Sequence, residues 1–288
     1  MKVAVIGANG QLGTDLVRAL GKAGGFETRP LMHDEIEVAD PGSVRTTLTQ
    51  ARPEVVVNCA AFNRVDECED RPEEAMRVNA LGALHVARAC ADLGALCVYV
   101  STDYVFSGEQ RRPYVESDAA GPINVYGASK LAGEQLTVGA SPRWLIVRTA
   151  SLFGTTPARV KGGNFVETML AKARAGEAIR VVADIRMSPT YAADAASGLA
   201  RLIRQGVGGT VHLTNAGSCT WYEFARQILT AAGLEANVVP VGSSEYPTKA
   251  RRPKDSSLAS LRADDGVRRC LRPWGEALSA YLADRTMR

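Results

Sequence analysis

The chain's opening run of apolar residues stops on a glycine, and this constrains the fold more than any other stretch. "KVAVI" (2–6) has the β-branched character of a buried strand. It passes directly into "GANGQLG", where Gly7, Gly10 and Gly13 are spaced three apart. A helical pattern follows, with Leu12, Leu16 and Leu20 on one face. Glycines at a strand-to-helix turn permit a tight reversal and the close approach of a pyrophosphate to the backbone. The helix start adds unpaired N–H groups and the positive end of its dipole. The competing reading is a tight turn that binds nothing.

The same rhythm repeats. "EVVVNCA" is a continuous apolar run, as expected of a parallel strand covered on both faces. A helix is predicted from Pro72, with Glu73 and Glu74 in its first turn, to Gly94. "LCVYVSTDYVF" reads as the next strand, "YGASKLAGEQLTVG" as the next helix and "WLIVRTASLFG" as the strand after it. Strand and helix in alternation predict an α/β chain: a Rossmann-type doubly wound parallel sheet. That domain is expected over residues 1–155, rejoined by 188–216. A smaller α/β substrate-binding domain is expected mainly over 156–288. There "GNFVETMLAKARAG" and "TWYEFARQILTAAG" are amphipathic, "AIRVVAD" and "GTVHLTN" read as short strands, and 242–257 reads as a long basic loop. A loop of that length in a compact chain is more often functional than idle.

Several classes fall away. A net charge of +3 is too small for a nucleic-acid binder. Met1-Lys2 leads straight into the first strand and no apolar stretch reaches membrane-spanning length, so neither a signal peptide nor a membrane partner is expected. The six cysteines, Cys59, Cys68, Cys90, Cys97, Cys219 and Cys270, contain no C-x-x-C pair. Buried free thiols and a cytoplasmic location follow. No Asp/Glu/His grouping has metal-ligand spacing, so no metal is expected.

The chemistry centres on Tyr126 and Lys130, one turn apart on a helix face. An ammonium beside a phenol favours the phenolate, and such a tyrosine can exchange a proton with a carbonyl or hydroxyl oxygen while a nicotinamide exchanges hydride. The pair alone is common, and its bland reading is an aromatic beside a solvated lysine. Its position raises it: Ser101 and Thr102 close the preceding strand, at the edge where ligands sit in open α/β sheets. Near the second strand's end, His33 would suit a 2′-phosphate and Asp34 a 2′-hydroxyl. NADPH is the expected cofactor, with NADH as the alternative. His85 reads as structural, His212 as facing a surface or a partner, and Trp221 and Phe224 as core rather than a stacking platform.

Taken together, "GANGQLG", "VVVNCAA", "STDYVF" and "YGASKLAGE" resemble an extended short-chain dehydrogenase/reductase. "GGNFVETMLAKARAG", "SPTYAADAA", "GGTVHLTNAGSCTWYEFARQIL" and "YPTKARRPKDSSL" resemble the dTDP-4-dehydrorhamnose reductase family, over nearly the whole chain. The resemblance implies a nucleotide-linked 4-keto-6-deoxyhexose as substrate, with reduction at C4. It implies Thr102 on the sugar carbonyl, Tyr126 as general acid, and Lys130 tuning it and holding the cofactor ribose. Gly7, Gly10, Gln11, Leu12 and Gly13 would form the pyrophosphate loop, and Glu37 and Val38 would lie beside adenine. Asn58, Ala60 and Ala61 would line the cofactor near its riboses. Asp103, Tyr104 and Ser151 would sit at the sugar end, and Asn164 and Arg252 near the substrate diphosphate. For Asn164 a helix N-cap is the equal alternative. A homodimer is a further expectation.

The sequence departs from the family pattern at Asn63, where threonine is usual, and at Ser151, where tryptophan is usual. Ile185 and Met187 replace a glutamine and a glycine. Two alternatives therefore stay open. One is a related epimerase or dehydratase, although Tyr104 stands where a dehydratase carries a glutamate. The other is a catalytically silent regulatory subunit on the same fold.

Overall fold

The apolar runs become the inner strands of one parallel sheet. The computed structural model describes residues 1–156, 164–262 and 271–286. The first half holds strands β1 (Lys2–Ile6), β2 (Glu27–Leu31), β3 (Val55–Asn58), β4 (Leu96–Thr102) and β5 (Trp144–Thr149). Between them run helices α1 (Gln11–Ala23), α2 (Pro41–Ala51), α3 (Val65–Asp70), α4 (Pro72–Met76), α5 (Gly82–Leu93) and α6 (Val125–Ala140). The second half adds β6 (Leu152–Phe153), α7 (Phe165–Arg174), β7 (Ile179–Val182), β8 (Arg186–Met187), β9 (Thr190–Tyr191) and α8 (Ala192–Gln205). It closes with β10 (Gly209–His212), β11 (Cys219–Thr220), α9 (Trp221–Ala231), β12 (Val238–Val241) and α10 (Trp274–Thr286).

The six-stranded sheet runs β10-β5-β4-β3-β1-β2, all parallel. After β1 the chain goes outward to β2, then returns to the other side of β1 for β3. Strand order therefore reverses between β1 and β3, which opens a crevice at their carboxyl ends. Val55, Val56 and Val57 are buried on both sides of the sheet, and Leu16 and Leu20 of α1 pack on one face. A second core gathers Phe153, Leu170, Phe224, Ile228, Leu278 and Tyr281 from the later elements. α9 opens with a reciprocal cap between Thr220 and Glu223.

Several sequence expectations need correction. The Pro72–Gly94 helix is interrupted by a π turn over Arg77–Leu81. The strand through "LCVYVSTDYVF" ends at Thr102 and continues as a 3₁₀ turn over Asp103–Val105. "WLIVRTASLFG" is broken into β5 and β6 because Ser151 takes a left-handed backbone, φ 43°. His212 is buried rather than facing a surface or partner: its Nδ1 lies 3.1 Å from the Tyr114 carbonyl and 2.9 Å from that of Ala259. β10 ends the sheet, but the segments around Tyr114 and Ala259 cover that edge. His85 is structural, with Nδ1 3.0 Å from the Val38 carbonyl. Cys59, Cys68, Cys90, Cys97 and Cys219 are free thiols; Cys270 lies outside the described residues.

Candidate active site

A cleft of about 1130 Å³ runs along the carboxyl ends of the strands, from the glycine turn to the second core. At one end the glycines are needed for close packing. A Cβ on Gly13 would sit 2.2 Å from the Gly7 carbonyl oxygen, and one on Gly7 would meet Ala60 N at 3.1 Å. Gly7 also has φ 74°, a conformation that favours glycine. Gly10 caps α1 without a side-chain hydrogen bond, so the first N–H groups of that helix have no capping oxygen. Gln11 Nε2 and Thr149 Oγ1 are buried without partners, and both residues line the cleft. An open helix start, a glycine cradle and orphaned donors together fit a dinucleotide pyrophosphate.

Leu12, Gly13, Glu37, Val38, Ala60 and Ala61 all line this end, as does His33, whose side chain is 82% exposed. Asn58 does not reach the cleft: it is buried, and its Oδ1 accepts from the Ala60 N–H at 3.1 Å. It shapes the loop rather than lining it.

The catalytic candidates meet midway. Asn124, two residues before Tyr126, caps α6 by accepting from the Gly127 N–H at 2.8 Å. Burial raises the Tyr126 phenol well above its usual range; the Thr102 hydroxyl, within hydrogen-bonding reach, opposes this. Lys130 is buried and donates to the Val100 carbonyl at 2.7 Å. Burial pulls its ammonium down to about 7, against the nearby charge of Glu134. Thr102 donates to Asp103 Oδ1 at 3.0 Å, and Ser256 donates to Asp103 Oδ2 at 2.5 Å. Burial pushes the Asp103 carboxyl up to about 6, with those two hydroxyls opposing. Asp103 lines the cleft but spends both carboxylate oxygens on protein hydroxyls.

At the far end lie Tyr104, Ser151, Asn164, Phe165 and Trp221. Asn164 is the N-cap of α7, accepting from the Glu167 N–H at 3.0 Å; its amide donates to the Gly154 carbonyl at 2.8 Å and to the Tyr281 hydroxyl at 3.3 Å, and the residue lines the cleft. Phe224 is core and the partly buried Trp221 packs against the same core, edge-on to Phe165 at 4.7 Å; both also line the cleft. Among the departures, Asn63 and Ser151 line the cleft, whereas Ile185 is not on its wall and Met187 is buried in the second core.

Arg252 donates through Nη2 to Asp66 at 2.8 Å beside the ring of the cleft-lining Tyr104, while its Nη1 is buried without a hydrogen-bond partner. The 242–257 loop is strapped to α3 by this pair and by Lys249–Asp70 at 2.6 Å. Sequence reasoning also missed Tyr99 and Asn79, which pack behind Lys130. Their pairing depends on the π turn, which no spacing in the sequence announces. Among the described residues, no group of three His, Cys, Asp or Glu side chains is placed to hold a metal.

Comparison with known proteins matches residues 1–287 to the family model described as RmlD substrate binding domain. The spore coat polysaccharide biosynthesis protein SpsK of Bacillus subtilis is 40% identical, over 99% of this chain and 98% of its own length. A dTDP-4-dehydrorhamnose reductase of Burkholderia thailandensis is 37% identical, over 99% of both chains. The crystal structure of dTDP-4-dehydrorhamnose reductase from Bacillus anthracis in complex with NADP superposes with a TM-score of 0.93 at 37% identity, covering 98% of this chain and 99% of that one.

Proposed function

The chain belongs to the RmlD substrate binding domain family, and on that premise we propose that it reduces the C4 keto group of a dTDP-linked 4-keto-6-deoxyhexose, dTDP-4-dehydrorhamnose first, with NADPH. One observation carries the reading. Thr102, Tyr126 and Lys130 line one cleft whose other end is the uncapped glycine turn.

The mechanism follows from the side chains. NADPH, when bound, would supply the hydride. Gly7, Gly10, Gly13 and the start of α1 would hold its pyrophosphate, with Gln11 Nε2 as a further donor. Thr102, whose hydroxyl is given to Asp103 in this structure, would turn that donor to the sugar carbonyl to orient it. Tyr126 starts protonated, because burial holds its phenol above the usual range, and gives that proton to the C4 oxygen. The Lys130 ammonium then stabilises the phenolate left behind. Phe165 and Trp221 offer an apolar wall to the nucleotide-sugar, in a cleft where Ser151 leaves room. The carboxylate expected of a dehydratase is replaced by the Tyr104 phenol, which burial pushes up to about 12 and so suits poorly as a base.

The division into 1–155 with 188–216, and mainly 156–288, is part of the proposal, supported by two separate cores. A cytoplasmic location is supported by the free thiols. A homodimer is also part of the proposal, and sedimentation equilibrium tests it.

The activity is tested by mixing protein, NADPH and dTDP-4-dehydrorhamnose and following the product by NMR. The expected result is one NADPH oxidised per C4 hydroxyl formed. NADPH left unoxidised by this and related keto sugars would favour the silent-subunit reading.

A further inference from the structure

The surroundings of Lys130 are more constructed than its catalytic role requires. Its ammonium lies 3.9 Å from the centre of the Tyr99 ring, over the face. Tyr99 is buried on β4, and its hydroxyl donates to the Asn79 carbonyl at 2.7 Å. Asn79 lies inside the π turn over Arg77–Leu81, where the hydrogen-bond ladder is wider than in an α-helix. Its side chain closes a second circuit. Asn79 Nδ2 donates to Ser129 Oγ at 2.9 Å, and Ser129 donates to the Tyr126 carbonyl at 2.8 Å. Asn79 also exchanges hydrogen bonds with both backbone groups of Phe62. Gly133 leaves the space: a Cβ there would sit 2.3 Å from the Asn79 oxygen and 2.4 Å from the Tyr99 hydroxyl.

We infer that Tyr99 is a positioning residue of the reaction: its ring face keeps the Lys130 ammonium charged and in place on the helix that carries Tyr126, and Asn79 locks that ring. The substrate side of this inference rests on the reductase reading; the Lys130–Tyr99 contact does not. A ring face attracts a cation most strongly where water is excluded, which is the condition here. The other groups around Lys130 leave it this role. From α6 come Tyr126 and Glu134, and Glu134 is already paired with Arg148 of β5 at 2.7 Å. From the end of β3 comes the Cys59 thiol, which burial keeps protonated, pushed up to about 12. Asp103, beyond β4, is engaged by Thr102 and Ser256.

The test is the titration of Lys130 in the full chain with excess NADP⁺, read from the ε-carbon resonance of ¹³C-lysine-labelled protein. That resonance is assigned by its loss in Lys130→Met. Tyr99→Phe keeps the ring and is expected to titrate with the wild type. Tyr99→Met removes the ring and is expected to titrate lower by roughly 0.5–1 pH unit. Tyr99→Leu is the second ring-free variant should Tyr99→Met not fold. The kcat–pH profile of each folded variant is expected to lose its high-pH activity by the same interval. A ring-free variant that titrates with the wild type would overturn the inference. If the wild type lacks reductase activity, the reductase reading fails, and the resonance shift alone still decides the role of Tyr99.

Discussion

Glu134 and Arg148 face each other inside the protein, with the guanidinium donating to both carboxylate oxygens at 2.9 and 2.7 Å. Both are buried, and Ser101 adds a third hydrogen bond to the same carboxylate. The pair fixes α6 to β5 one turn beyond Lys130. Removing one member of such a pair leaves the other charge buried and alone. Arg148→Met is therefore expected to lower unfolding free energy by about 3–5 kcal/mol in urea titration. The double variant Glu134→Met with Arg148→Met is expected to recover part of that loss. A single variant as stable as the wild type would show that the pair carries no such burden.

Asp103 makes stability depend on pH. Its folded carboxyl titrates at about 6 against an ordinary 3.8, so the folded chain holds this proton where the unfolded chain has released it. The contribution is fully present below pH 3.8 and is lost as pH rises through 6. Asp103→Asn should thus gain roughly 1–3 kcal/mol over the wild type at pH 8, and close to nothing at pH 3. Thermal melts at the two pH values measure the difference. The same change is expected to slow catalysis, because Thr102 loses its carboxylate acceptor.

Two glycines of α1 should respond in opposite directions. A Cβ at Gly13 collides with the Gly7 carbonyl, whereas one at Gly21 meets nothing within 4 Å. Gly13→Ala is expected to cost about 1–3 kcal/mol and to weaken NADPH binding more than tenfold. Gly21→Ala is expected to gain about 0.5–1 kcal/mol with binding unchanged. Calorimetric titration with NADPH separates the two.

What the sequence made legible were features with a short range. Gly7, Gly10 and Gly13 announce a strand–turn–helix, and Tyr126 and Lys130 share a face because a helix repeats every 3.6 residues. What stayed hidden depends on distant contacts. Asp66 and Arg252 are 186 residues apart, and their pairing straps the 242–257 loop to α3. Tyr99 reads as one more apolar strand position until the π turn offers it the Asn79 carbonyl. Ser151 looks like the middle of a strand, yet its left-handed backbone splits that strand and shapes the cleft wall.

The account stands most directly on the proton of Tyr126. The decisive measurement compares NADPH oxidation on dTDP-4-dehydrorhamnose by the wild type and Tyr126→Phe, with NADPH affinity measured for both. The account predicts a fall in kcat of about 10²–10⁴-fold, with binding of NADPH retained. A variant that reduces the keto sugar at the wild-type rate would contradict it.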